Sequence, residues 1–225
     1  TGTYEEWVKK YLTDKGYTLT DEYSWPYTSD PVVWDALNSY RAADAEAIVN
    51  TYDGLLEYDI ENVQQPALAT GYTVSDDGLT YTFKLREGVN WVDNQGNVIE
   101  KLTADSFVAG MQHMLDAKGG LEYLVDGKIK NASQYMAGEI TDFAEVGVKA
   151  VDEYTLEYTL EAPCTYFTTM LGYGVFAPMS RAYFTANGGA FGVEEYAAAS
   201  ATDAYTYGTA PEKIAYCGPY LVTSY

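Results

Sequence analysis

A mixed α/β fold is predicted by three features of the sequence. Two stretches of strict apolar–polar alternation, at 72–85 and 146–160, fold about turn residues; helical apolar stripes with legible caps surround them. The chain's 225 residues suffice for one large domain or two small ones with a buried core.

The elements follow in order. In "TYEEWVKKYL", Thr3 and Glu6 stand at capping-box spacing, while Trp7, Val8, Tyr11 and Leu12 share one helical face that Lys15-Gly16 ends. Residues 18–37 predict a strand running into an irregular segment around Pro26 and Pro31. Asp44 reads as the N-cap of a second helix, through Ile48, Val49 and Tyr52 to Asp53-Gly54. In the first hairpin, Tyr72 and Val74 precede the turn Asp76-Asp77-Gly78; Leu79, Tyr81, Phe83 and Leu85 then alternate with Thr80, Thr82, Lys84 and Arg86. The glycine supplies the turn's positive φ, and four aligned apolar side chains fix the register.

"WVDNQGNVIE" predicts another turn, after which Thr103 caps a helix with Phe107, Met111, Met114 and Leu115 on one face. The second hairpin sets Val146, Val148 and Ala150 before Asp152-Glu153, and Tyr154, Leu156, Tyr158 and Leu160 after it. A short helix with Tyr166, Phe167, Met170 and Leu171 leads into the glycine-flanked loop "LGYGVFAP". The stretch "EEYAAASATDAYTYGTAPEK" is small, polar and loop-like, and "YCGPYLVTSY" predicts a turn into a strand from Tyr220. Ending within a strand pattern, the chain reads as a cut piece.

Composition excludes some functions. With 13 basic against 33 acidic residues and a net charge of −20, no basic footprint exists for nucleic acid or an anionic membrane surface. No apolar run approaches the ~18 residues of a membrane span, and "TGTYEEW" has no signal-peptide pattern. The 23 tyrosines favour wet binding surfaces. Cys164 and Cys217 read as separate small apolar residues rather than as a pair.

Catalytic signals are weak. His113, the only histidine, lies about 240° round its helix from Phe107 and is expected on a solvated face. No nucleophile elbow, phosphate loop or dinucleotide fingerprint occurs. "DNQGNVIE" lacks the glycine of a calcium loop and reads as a plain turn. Acidic pairs such as Asp76-Asp77 and Glu194-Glu195 leave a secreted glycoside hydrolase as the enzyme alternative.

The block "PALATGYTVSDDGLTYTFKLREGVNW" followed by "LTADSFVAGMQHML" resembles the signature region of extracytoplasmic solute-binding proteins (family 5 type) that serve peptide ABC importers. "WPYTSDP", "YDGLLEYD", "GVKAVDEYTLEYTLEAP", "YFTTML" and "YGTAPEKIAYCGPYL" follow the family's order, the last two being most similar to its oligopeptide-binding branch. The resemblance spans about residues 25–225. It departs at Tyr72, where tryptophan is usual, in the stretched "DNQGNVIE" turn, and at Cys217, where asparagine is frequent. The family's members run to roughly twice this length.

The resemblance implies a periplasmic-binding-protein-like α/β fold of type II, with an extra inserted α+β domain and without most of the second lobe. Residues 17–53 plus 147–225 then form part of the first lobe, and 54–146 the inserted domain. It implies a non-enzymatic protein that binds extended oligopeptides and delivers them to membrane permease subunits. The protein would act outside the cytoplasmic membrane, held by a lipid anchor that this chain lacks. No cofactor or metal is expected. Candidate ligand-binding residues are Tyr27, Thr28 and Ser29, which leave the first predicted strand, and Tyr173, Gly174 and Val175 in the glycine-flanked loop. An oligosaccharide or metal chelate is the alternative solute.

Overall fold

The computed structural model describes residues 4–18, 22, 24, 26–27, 29–59 and 61–225, with only the backbone at 4 and 5. Its elements are α1 (Tyr4–Asp14), α2 (Ala42–Ile48), β1 (Leu56–Tyr58), β2 (Gln64–Pro66), β3 (Ala69–Val74), β4 (Thr80–Leu85), β5 (Asn90–Val92), β6 (Val98–Lys101), α3 (Ala104–Ala117), α4 (Ala132–Met136), β7 (Val148–Asp152), β8 (Thr155–Thr159), α5 (Phe167–Met170), α6 (Arg181–Ala186) and α7 (Val193–Ser200).

Both predicted hairpins form, and they join. The order β3-β4-β8-β7 is one antiparallel sheet in which Tyr81 faces Tyr158 and Phe83 faces Leu156 across the β4–β8 ladder. Gly78 takes φ +71° in the first turn, where the Asp77 carboxylate accepts the Leu79 N–H. The expected division at 146/147 falls between these paired strands, so the sheet unites segments that the resemblance assigns to two parts.

One face of the sheet is polar, with Thr82, Lys84 and Glu157, and the other meets α3. Thr103 and Ser106 form the capping box at the start of α3, and Phe107, Met111, Met114 and Leu115 are buried along it. Phe83, Tyr158, Phe167 and Phe176 interlock edge to face, with centroid separations of 5.6–6.2 Å. Such pairs add about 0.5–1.5 kcal/mol each beyond the apolar area they bury.

Other expectations change. His113 is fully buried, because a second layer, α6 and α7, covers the side of α3 opposite the sheet. A helix enclosed on both sides has no solvated face. Residues 193–200 are helical rather than loop: three alanines supply propensity, and Tyr196 is the helix's one buried side chain. No strand forms among the described residues of 18–37. There Val32 N–H bonds to Asp44 and Trp34 N–H to Gly208, so donors that a ladder needs are spent elsewhere.

Helix α2 starts at Ala42, and Asp44 sits inside its first turn instead of capping it. The helix ends at Ile48, well before Asp53. Residues 220–225 form no strand. The proposed Thr3 cap lies outside the described residues, and the Trp7–Tyr11 stripe of α1 is exposed, its rings stacked at 5.4 Å. Both cysteines are free. "DNQGNVIE" is a hairpin turn between β5 and β6, in which Asp93 accepts from Gln95 N–H, Asn97 N–H and Asn97 Nδ2.

Two predictions test this core. Phe83→Ala lowers unfolding free energy by about 3–5 kcal/mol in denaturant titrations, through lost burial and a cavity. Tyr158→Phe costs nothing or raises stability by about 1 kcal/mol, because among the described residues the buried hydroxyl has no partner. At alkaline pH, burial and then the neighbouring Cys217 push the Tyr52 phenol from 10.0 up to about 12. The unfolded chain loses this proton first, so stability holds below pH 10 and falls as pH rises towards about 12. Tyr52→Phe removes a share of that loss on the order of 2–3 kcal/mol, read from urea midpoints at pH 9 and 11.5.

Candidate functional site

Irregular segments, together with α2 and β1, line depressions on the molecule's surface. Residues 31–41 run into α2 as a lip. Ser39 Oγ donates to Asp44 at 2.6 Å and accepts the Arg41 N–H at 3.2 Å, so the turn into α2 is held by side chains. Asp44, fully buried, also accepts the Val32 N–H at 2.8 Å and faces Arg41 Nη1 at 3.6 Å. Three neighbouring charges or dipoles thus satisfy one buried carboxylate.

Two adjoining depressions lie beside this lip and share Val49, Tyr52, Gly172 and Tyr173. The first, about 320 Å³, is walled by Ser39, Tyr40 and Arg41 on one side and Gly174 on the other. The second, about 410 Å³, contains Asn50, Asp53, Glu57, Tyr58 and Pro219. Tyr40 and Tyr173 project from the rims, 73% and 58% exposed. Among the described residues the Tyr40 N–H has no hydrogen-bond partner.

The segments converge by close backbone contact. Gly218 lies where a Cβ would come within 2.5 Å of Tyr52 N, and the Cys217 and Gly218 N–H groups both donate to Thr51 O. Desolvation, and then Glu57, raise the Asp53 pKa, while Arg86 opposes both. Desolvation pushes the Cys217 thiol up to about 12.

The six expected ligand residues do not come together. Tyr173 and Gly174 line the first depression, where a Cβ on Gly174 would stand 3.1 Å from the Tyr52 hydroxyl. Val175 is fully buried, which leaves only its backbone to such a role. Tyr27 lies on the other side of α2. It borders a third depression, of about 320 Å³, with Trp34, Glu46 and Tyr225, and its hydroxyl donates to Asp30. Ser29 is exposed and lines none of these three depressions, and Thr28 lies outside the described residues. Helix α2 separates the two groups: Ala42, Ala45 and Val49 face one side, Ala43, Glu46 and Ala47 the other.

Sequence reasoning missed Ser39, Tyr40, Arg41 and Tyr52. The turn signals Asp53-Gly54 and Gly218-Pro219 flag backbone approach in this region, but nothing local joins residues 39–54 to 171–174. His113 lines none of the three depressions, its Nε2 2.6 Å from Asp35 and its ring enclosed by Phe184, Tyr196 and Tyr207.

Residues 63–225 match the family model of bacterial extracellular solute-binding proteins, family 5. The oligopeptide-binding protein AmiA of Streptococcus pneumoniae is 38% identical over 200 residues, covering 89% of this chain and 28% of its own length. Among solved structures, a periplasmic oligopeptide-binding protein of Borrelia burgdorferi aligns with a TM-score of 0.69 and 28% identity, covering 88% of this chain and 36% of that one. Listeria monocytogenes OppA, solved bound to peptide, gives a TM-score of 0.70 and 26% identity over 86% of this chain and 34% of its own. The chain therefore spans about a quarter to a third of its relatives' length, less than the half that the resemblance implied. Its fold is that of the periplasmic oligopeptide-binding proteins, and the chain belongs to the bacterial extracellular solute-binding proteins, family 5.

Proposed function

We propose that this chain forms one wall of a site that binds oligopeptides in extended form, in a non-enzymatic protein that delivers them to an ABC permease from outside the cytoplasmic membrane. A lipid anchor elsewhere in the complete protein would hold it there. The observation that carries this reading is the lip at Ser39–Arg41. The Tyr40 N–H at the edge of a depression has no partner among the described residues and can bond to a peptide main chain irrespective of sequence. Exposed tyrosines around it offer flat, amphipathic contact to varied side chains. The relatives named as oligopeptide-binding proteins support the ligand class.

Tyr173 and Gly174 are the ligand contacts in this reading, with Ser39, Tyr40 and Tyr52. Tyr27, Thr28 and Ser29 serve only a ligand long enough to cross α2. The sheet favours moving the domain division: the inserted unit runs over 54–160, so that β3, β4, β7 and β8 stay together, and 17–53 plus 161–225 form the wall.

Native mass spectrometry of the complete protein is expected to show co-purified peptides; recovery of a sugar or metal chelate in their place overturns the ligand class. Tyr173→Ala should weaken peptide affinity about tenfold in titration calorimetry, as loss of an aromatic contact that the bound peptide covers does, and Tyr27→Ala less than about threefold. Equal effects of the two substitutions would dissolve the distinction drawn between the two sides of α2.

A further inference from the structure

The buried pair of His113 and Asp35 joins α3 to the lip, yet neither residue lines the depression between the lip and Tyr173. His113 is 0% exposed and Asp35 3%, with Nε2 and Oδ2 2.6 Å apart. A carboxylate only accepts, so the proton between them belongs to Nε2. Phe184, Tyr196 and Tyr207 surround the imidazole at centroid distances of 4.5–6.1 Å and fix its plane. The histidine is thus a rigid donor rooted in α3.

Asp35 carries that rigidity upward. Its second oxygen accepts the Leu37 N–H at 3.0 Å, and its backbone carbonyl accepts the Asn38 N–H at 3.1 Å. Asn38 in turn donates to the Tyr196 hydroxyl at 3.0 Å. These bonds set the turn from which Ser39, Tyr40 and Arg41 emerge. Packing anchors the inner side of this segment, where Gly208 lies close against Asp35 and Gly119 against Asn38, and leaves Ser39, Tyr40 and Arg41 less buried. No strand ladder runs through 31–41.

We infer that His113 is a positioning residue: acting through Asp35, it holds the 34–41 lip in its ligand-ready geometry. Without the imidazole, a carboxylate is left buried with no other ion-pair partner among the described residues. That is costlier than moving a segment no ladder secures, so the lip shifts before the core does. The ligand role of the lip rests on the peptide reading above; the mechanical coupling does not.

The test compares amide exchange and peptide affinity in the complete protein. In His113→Phe, exchange at Leu37, Asn38 and Arg41 should accelerate about tenfold or more while β4 and the middle of α3 stay within about twofold, and peptide affinity should fall about tenfold. Asp35→Asn alone should loosen the lip less than His113→Phe does, because its amide still accepts from Leu37 and can donate to Nε2, at the cost of moving the imidazole proton to Nδ1, which has no partner among the described residues. Uniform acceleration across lip, α3 and β4 would show a merely structural histidine, and unchanged lip exchange would also overturn the inference. Should His113→Phe fail to fold, Asp35→Ala tests the same contact from the lip side. If the unsubstituted protein binds no peptide, the functional reading fails while the exchange comparison still decides this one.

Discussion

The pairing of β4 with β8 is the contact on which the rest of the structure depends. It brings Thr80–Lys84 against Thr155–Thr159, some seventy residues away, and so turns two local hairpins into one sheet. That sheet gives α3 a surface to cover, and α3 in turn gives α6 and α7 theirs. Loop-closure entropy grows slowly with length, so the long intervening segment costs little more than a short one. The aromatic cluster across the ladder, with Phe83, Tyr158 and Phe167 at its centre, offsets that cost by excluding water from one face.

What was legible in the sequence is what periodicity encodes. Both hairpins, the α3 stripe and the Thr103 cap are local patterns, each written within about fifteen residues. Illegible were features decided by a second layer. His113 occupies the polar side of an amphipathic stripe, and only the packing of α6 and α7 makes that side interior. Helix α7 has propensity without a stripe, so its alanines looked like a loop. The stretch 31–34 has strand-forming residues, but Asp44 and Gly208 take the Val32 and Trp34 donors that a strand would need.

The candidate site was less legible than the fold. Tyr173 and Gly174 stood out because glycines flank an aromatic residue in a loop, a signal for backbone approach. Tyr27 stood out for a similar reason, yet α2 puts it on the other side. The wall at Ser39–Arg41 carried no signal of its own, since its geometry comes from contacts to Asp44, His113 and Tyr196. Resemblance to a family located the fold and the family; it did not locate these contacts.

A sequence-tolerant binder faces two opposed demands. Its main-chain donors must stay unpaired and solvated until ligand arrives, yet they must be held still, because ordering them at the moment of binding weakens affinity. Regular structure would satisfy the second demand by consuming the donors. Here the lip avoids both helix and strand and is fixed instead through side chains: Asp44 and Ser39 above, Asp35 and Asn38 below. Each of those groups ends on a rigid element, so the lip takes its order from α2, α3 and α7 while its Tyr40 N–H has no partner among the described residues. Irregular backbone pinned by buried polar side chains is, on this argument, the form such a wall has to take.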